Sequence, residues 1–199
     1  ESFLLITGTS QATHDADWIA RNLAPGEQAE LRDVTLASSV IGVMGPRSRE
    51  LLARLGPADL SNAAFPFGTS QLIELGMATV RAVRITYVGE LGWELHVPTP
   101  QAAPLYDALM AAGRDLGVAN AGHYAINSLR MEKGYRAWGA EISPDDTPLE
   151  AGLSFAVAWD KPGGFLGREA LLRQRETNLT RMLATFVLED PAPVLWGAE

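Results

Sequence analysis

Cysteine is absent from the 199 residues. That excludes a disulfide framework, a thiolate metal cluster and a cysteine nucleophile, and it gives an oxidising compartment no support. Lysine is scarce as well: of 16 basic residues only Lys133 and Lys161 are lysines, so the cationic chemistry is nearly all arginine, permanently charged and poor at moving protons. Histidine occurs three times, at His14, His96 and His123, with no HxxxH or HExxH spacing, and no metal site is expected. GxGxxG, GxxxxGK[ST] and GxSxG are all missing, which removes the dinucleotide and phosphate cradles and the nucleophile elbow. No apolar run approaches the roughly 20 residues that span a bilayer. Sixteen Lys and Arg against 24 Asp and Glu leave a net charge of −8, a field that repels phosphate backbones and anionic lipid, so neither nucleic acid nor membrane is expected as a partner.

Hydrophobic residues make up 47% of the chain, enough for a sizeable core. Apolar periodicity and turn residues predict strands at 3–8, 31–36, 39–44, 71–75, 79–87, 93–97, 155–159 and 183–188. They predict helices at 11–23, from Pro46 through Leu55, and at 102–116, 123–133 and 167–175. From about residue 39 to 116 the order is strand, helix, three strands, helix. This is an α+β pattern with antiparallel pairing and a ferredoxin-like middle unit. The opening residues lack an initiator methionine, a basic n-region and a cleavage site, so they do not read as a signal peptide. They enter on a strand pattern, and the chain leaves on Val194-Leu195-Trp196 with nothing following to pack against it. The sequence therefore reads as a piece of a longer protein.

Two stretches carry chemistry. In 85–97, two glycines punctuate the connection between strands, and Trp93, Leu95 and Val97 alternate with Glu94 and His96, which share a face. Glu94 either meets solvent there, or, beside the Tyr87 ring, accepts paired hydrogen bonds from a planar heterocycle bearing N–H donors. In 125–139 a helix places Ile126, Leu129 and Lys133 on one stripe, and Gly134 is a natural stop. Beyond that stop Tyr135, Arg136 and Trp138 either line a ligand cleft or anchor a loop. The turn-rich run 143–152 either caps a short helix at Pro148 or orders a wall of the same cleft.

Tyr87-Val88-Gly89-Glu90-Leu91-Gly92-Trp93-Glu94, then Ser128-Leu129-Arg130-Met131-Glu132-Lys133-Gly134-Tyr135-Arg136-Ala137-Trp138, then Thr147-Pro148-Leu149-Glu150-Ala151-Gly152-Leu153 together resemble the aminomethyltransferase family, the T-protein of the glycine cleavage system. The likeness is closer to the folate-binding region of sarcosine and dimethylglycine dehydrogenases, and it covers nearly the whole chain. The resemblance implies a fold with tetrahydrofolate among three domains, and transfer of a one-carbon unit from a glycine-, sarcosine- or dimethylglycine-derived amine to tetrahydrofolate. It implies Tyr87, Glu94, Tyr135 and Trp138 as cofactor-binding residues, with no catalytic residue and no metal in this chain. It further implies FAD in a preceding part of the parent protein, and a lipoyl carrier protein as partner in a true T-protein. The expected location is cytoplasmic, or the mitochondrial matrix in a eukaryote.

The division that follows is residues 1–36 with 117–175 as one discontinuous folate-binding subdomain, 37–116 as the ferredoxin-like subdomain, and 176–199 as the start of a truncated C-terminal barrel. Two departures from the family pattern accompany it. Ile126 stands where the family has an arginine, and the family's essential aspartate belongs to a hairpin upstream of residue 3. The chain by itself is thus expected to be inactive. The alternative reading is a non-catalytic folate-binding module that serves regulation or interaction.

Overall fold

A computed structural model describes residues 2–190. The order of elements is α1 (Ala12–Arg21), β1 (Ser38–Met44), α2 (Ser48–Ala53), β2 (Ser70–Leu75), β3 (Ala78–Val83), β4 (Gly92–Pro98), α3 (Ala102–Ala112), α4 (His123–Glu132) and α5 (Arg168–Arg175), with short 3-10 turns between them. The four strands form one antiparallel sheet in the order β1-β4-β3-β2. The α+β layering is as the sequence implies. The connectivity adds a detail: β2, β3 and β4 form a meander, and β1 joins it at the β4 edge.

Alternation decides which face is inside. On β4, Trp93, Leu95 and Val97 are fully buried, while Glu94 and His96 point to the opposite face and are only partly covered. Leu51 and Leu52 of α2 and Leu105 and Leu109 of α3 close over the inner face, joined by Ile73, Leu75, Val80 and Ala82 from the meander. Trp93 meets Phe65 edge to face, with ring centroids 6.1 Å apart. Each such fully buried apolar side chain contributes about 1.5–3 kcal/mol. The 57–69 loop is held over this core because the guanidinium groups of Arg49 and Arg84 lie 6.0 and 5.7 Å from the Trp93 ring and both donate to Asn62 Oδ1 at 2.7 Å.

Four expected strands are not formed. Residues 3–8, 31–36, 155–159 and 183–188 have no ladder, and Phe3, Phe155, Phe186 and Val187 are all more than 80% exposed. Their apolar, β-branched composition was the whole ground for the expectation, but a strand exists only when another edge satisfies its N–H and C=O groups. Among the described residues no strand pairs with them. Helix α4 consequently has no opening strand beside it. Strand β3 ends at Val83 rather than continuing to Tyr87, so residues 84–91 are a loop. The run Val194-Leu195-Trp196, and with it the last part of the expected barrel segment, lies outside the described residues.

Candidate functional site

The loop 84–91 is shaped from both ends. Leu91 O accepts from Gly45 N–H at 2.8 Å and from Ser48 Oγ at 2.9 Å, which ties the end of the loop to the β1–α2 turn. Thr86 Oγ1 accepts from Val88 N–H at 3.2 Å and itself faces Met44 Sδ at 3.7 Å. Gly89 has φ +73°, and a Cβ there would come within 2.3 Å of Lys133 Cγ. The loop can therefore lie against the end of α4 only with glycine at this position. Beside it Lys133 Nζ approaches Glu90 at 3.7 Å.

So held, the loop presents Tyr87 outward. Its hydroxyl donates to Arg136 O at 3.1 Å, and its ring stacks on Tyr135, centroids 6.3 Å apart and planes 23° from parallel. Two aromatic residues separated by nearly 50 positions thus form one wall.

Helix α4 ends at Glu132, and Gly134 turns the chain with φ +68° while Tyr135 N–H returns to Arg130 O at 2.9 Å. The loop beyond is organised by Arg130, whose side chain is 4% exposed. Its guanidinium donates to Asn127 Oδ1 at 2.7 and 2.9 Å, to Tyr135 O at 3.0 Å and to Glu141 at 2.7 Å. Burial disfavours the charged form of Glu141, but the Ala137 N–H and the Arg130 guanidinium outweigh it and hold the carboxyl below its usual range. Arg136 spans to Ala151 O at 2.9 Å and passes over Gly152.

Farther along, Glu150 accepts from Thr147 N–H at 2.9 Å, from Thr147 Oγ1 and from Arg181 Nε at 3.1 Å. The backbone N–H first, then the guanidinium and the hydroxyl, bring its pKa to about 2. Leu183 N–H donates to Glu150 O at 2.8 Å, so the segment after α5 is fastened to the 143–152 turn. No helix forms at Pro148, and Asp146 and Glu150 of that turn accept from its own N–H groups and pair with Arg181 without lining the cleft.

The cleft runs along β1 and holds about 820 Å³. Val40, Gly42 and Met44 from β1, Tyr87 and Glu90 from the loop, Glu94 from β4, and Ile126 and Leu129 from α4 all line it. The walls are mostly apolar with few polar groups, the usual make-up of a small-molecule site. The Glu94 carboxylate receives no hydrogen bond from any described residue, and His96 Nε2 stands 3.8 Å from it, within ion-pair range when the imidazole is protonated. Ile126 makes this part of the wall apolar.

The residues singled out from the sequence therefore divide. Tyr87 and Glu94 line the cleft together, and Tyr135 joins them through its stack on Tyr87. Trp138, 55% exposed and bridged to Ile142, does not line it. Sequence reading missed the Arg130–Asn127–Glu141 cluster that sets the Tyr135 loop. The available signal was an arginine within an otherwise amphipathic helix, three residues after an asparagine on the same face. The strand at 39–44 was expected and forms as β1, but nothing in its Val-Ile-Gly-Val-Met pattern marked it as a wall of the cleft.

The chain thus combines an antiparallel α+β layer with an apolar cleft at its sheet edge, a part-buried carboxylate in that cleft and two stacked tyrosines beside it. Residues 1–161 match the family model described as the GCVT N-terminal domain, and the chain belongs to that family. It is 46% identical over its whole length to sarcosine dehydrogenase, mitochondrial, from Homo sapiens, and 42% identical over 94% of its length to dimethylglycine dehydrogenase, mitochondrial, from Homo sapiens. It spans 22% of the length of each. Among solved structures, the glycine cleavage system aminomethyltransferase T from Bartonella henselae is similar with a TM-score of 0.66 and 28% identity, covering 83% of this chain and 43% of that one.

Proposed function

We propose that this chain is the tetrahydrofolate-binding part of an aminomethyltransferase-like protein that passes a one-carbon unit from an amine to tetrahydrofolate. The observation that carries the reading is Glu94: a carboxylate inside a mostly apolar cleft, hydrogen-bonded to no described residue. A part-buried carboxylate without donors is costly unless a ligand provides them. The amino-pyrimidinone edge of a pterin offers two adjacent N–H donors, and a carboxylate is the acceptor that matches them. Tyr87, backed by Tyr135, supplies a flat apolar surface beside that anchor. Trp138 enters the reading only as a residue of the Tyr135 loop.

When bound, tetrahydrofolate supplies the nitrogen nucleophiles that take up the one-carbon unit. The chain's own residues bind and orient: Glu94 fixes the ring edge, the tyrosine wall fixes its plane, and Ile126 and Leu129 exclude water from one side. A carboxylate able to stabilise a cationic one-carbon donor is expected upstream of residue 3 in the parent protein. The amine is glycine-, sarcosine- or dimethylglycine-derived. Relatives named as dehydrogenases support FAD in a preceding domain, and their mitochondrial names support the mitochondrial matrix as location in a eukaryote. A lipoyl carrier protein belongs to the reading only if the donor is glycine.

The test is calorimetric titration of 5-formyltetrahydrofolate, a stable analogue, into the full-length protein and its Glu94→Ala variant. Loss of charge-assisted hydrogen bonds should weaken binding by about 1.5–3 kcal/mol, or about 10–150-fold. Equal affinity in a folded variant would remove Glu94, and the reading with it. The 199-residue chain alone should form no methylenetetrahydrofolate above the uncatalysed background.

A further inference from the structure

Gly42 sits in the middle of β1, directly opposite Glu94 in the ladder, and its position lines the cleft. Glycine in a strand interior weakens the strand, so it calls for a reason. The fold does not provide one. Gly42 does not have the left-handed backbone that favours glycine, and a Cβ placed there would touch only Met44 Cε, at an ordinary 3.7 Å. Gly92, in the same two-strand ribbon, is the contrast: a Cβ there would overlap Met44 Cγ at 2.7 Å and Val43 O at 2.9 Å, so packing alone requires it.

The missing side chain at Gly42 has a definite consequence for the site. Successive alternate residues Val40, Gly42 and Met44 project to the face that carries Glu94. Val40 and Met44 flank the bare backbone of Gly42, with the Met44 Cε methyl at its border, and the slot between them faces Glu94 across the ladder. Side chains directly opposite across an antiparallel pair stand about 5 Å apart at Cβ, so any branched residue at 42 would lie over that carboxylate. An exposed strand glycine of this kind marks a place where a ligand approaches the backbone closely.

We infer that Gly42 is a specificity-determining residue: it admits a flat heterocyclic ring onto the β1 backbone so that the edge of the ring meets Glu94. The inference rests on the folate reading and deepens it, by stating which strand the ring lies on and what excludes bulkier or non-planar ligands.

The experiment uses the full-length protein with Gly42→Ala and Gly42→Val. Binding of 5-formyltetrahydrofolate is measured by calorimetry, and the thermal unfolding of each protein is recorded alongside. The expected result is a dissociation of the two readouts. Neither substitution lowers Tm, since both residues suit a strand better than glycine, whereas Gly42→Val weakens binding by about 100-fold or more and Gly42→Ala by less. Binding within threefold of wild type by Gly42→Val, in a protein where Glu94→Ala does weaken it, overturns the slot and leaves the folate reading standing. A marked fall in Tm for Gly42→Ala would show that the fold needs this glycine, and overturns the inference equally. Absence of binding by the wild type would refute the folate reading itself and the slot along with it.

Discussion

Glu141→Ala should destabilise the chain more than Arg130→Met, although the two residues share one ion pair. Their side chains differ in burial, 4% exposed for Arg130 and 30% for Glu141, with 2.7 Å between charged atoms. Removing Glu141 strands a guanidinium in the interior with only the neutral acceptors Asn127 Oδ1 and Tyr135 O, and also leaves the Ala137 N–H without its acceptor. Breaking a buried pair in this way costs about 3–5 kcal/mol. Because two neutral acceptors stay in place, the lower end, about 3 kcal/mol, is expected. Arg130→Met retains most of the apolar stem and leaves Glu141 able to rehydrate, so about 1–2 kcal/mol is expected. The double variant should resemble Arg130→Met, which sets the coupling in the cycle at about 3 kcal/mol, the whole cost of Glu141→Ala. Urea unfolding followed by both fluorescence and circular dichroism measures all four proteins, with coincident transitions required before energies are compared. A coupling below about 0.5 kcal/mol, the range of a surface pair, would refute the argument that burial makes this interaction asymmetric.

Glu150 provides a pH test. Its folded pKa of about 2 lies below the ordinary 4.5, so the unfolded chain takes up the proton first as pH falls, and the stabilisation it contributes is complete above 4.5 and fades towards 2. Arg181→Ala should raise the Glu150 pKa, read by carboxyl NMR titration; an unmoved titration would show that Thr147 alone sets it. Gly89→Ala should destabilise by about 1–3 kcal/mol through backbone strain and the Lys133 overlap, and Lys133→Ala should recover only the overlap part in a denaturation cycle. Full recovery would mean that φ +73° carries no cost. Trp138→Ala should change stability by less than about 0.5 kcal/mol, as expected for an exposed ring. It should weaken folate binding less than Glu94→Ala does, and a calorimetric loss as large as that of Glu94→Ala would put Trp138 inside the ligand's contact surface.

How far the sequence reaches is visible element by element. Period-two alternation in 93–97 was enough to put Trp93, Leu95 and Val97 inside and Glu94 and His96 on the other face, because side-chain direction in a strand is a local geometric property. Helices α1 to α5 were likewise legible, since their hydrogen bonds close within a few residues and their stops, such as Gly134, are written beside them. The apolar runs at 3–8 and 183–188 looked the same as true strands, because pairing depends on a distant edge that composition does not encode.

The site divides along the same line. The motif residues Tyr87 and Glu94 could be named from the sequence, and so could Tyr135. That Tyr87 stacks on Tyr135, that Arg130 is buried and holds Glu141, and that Gly42 faces Glu94 across the β1–β4 ladder are contacts between residues 11 to 52 positions apart. Only tertiary structure could decide them, because the free energy that selects such contacts comes from burying the whole sheet and its helices together, and no local stretch of chain carries that term.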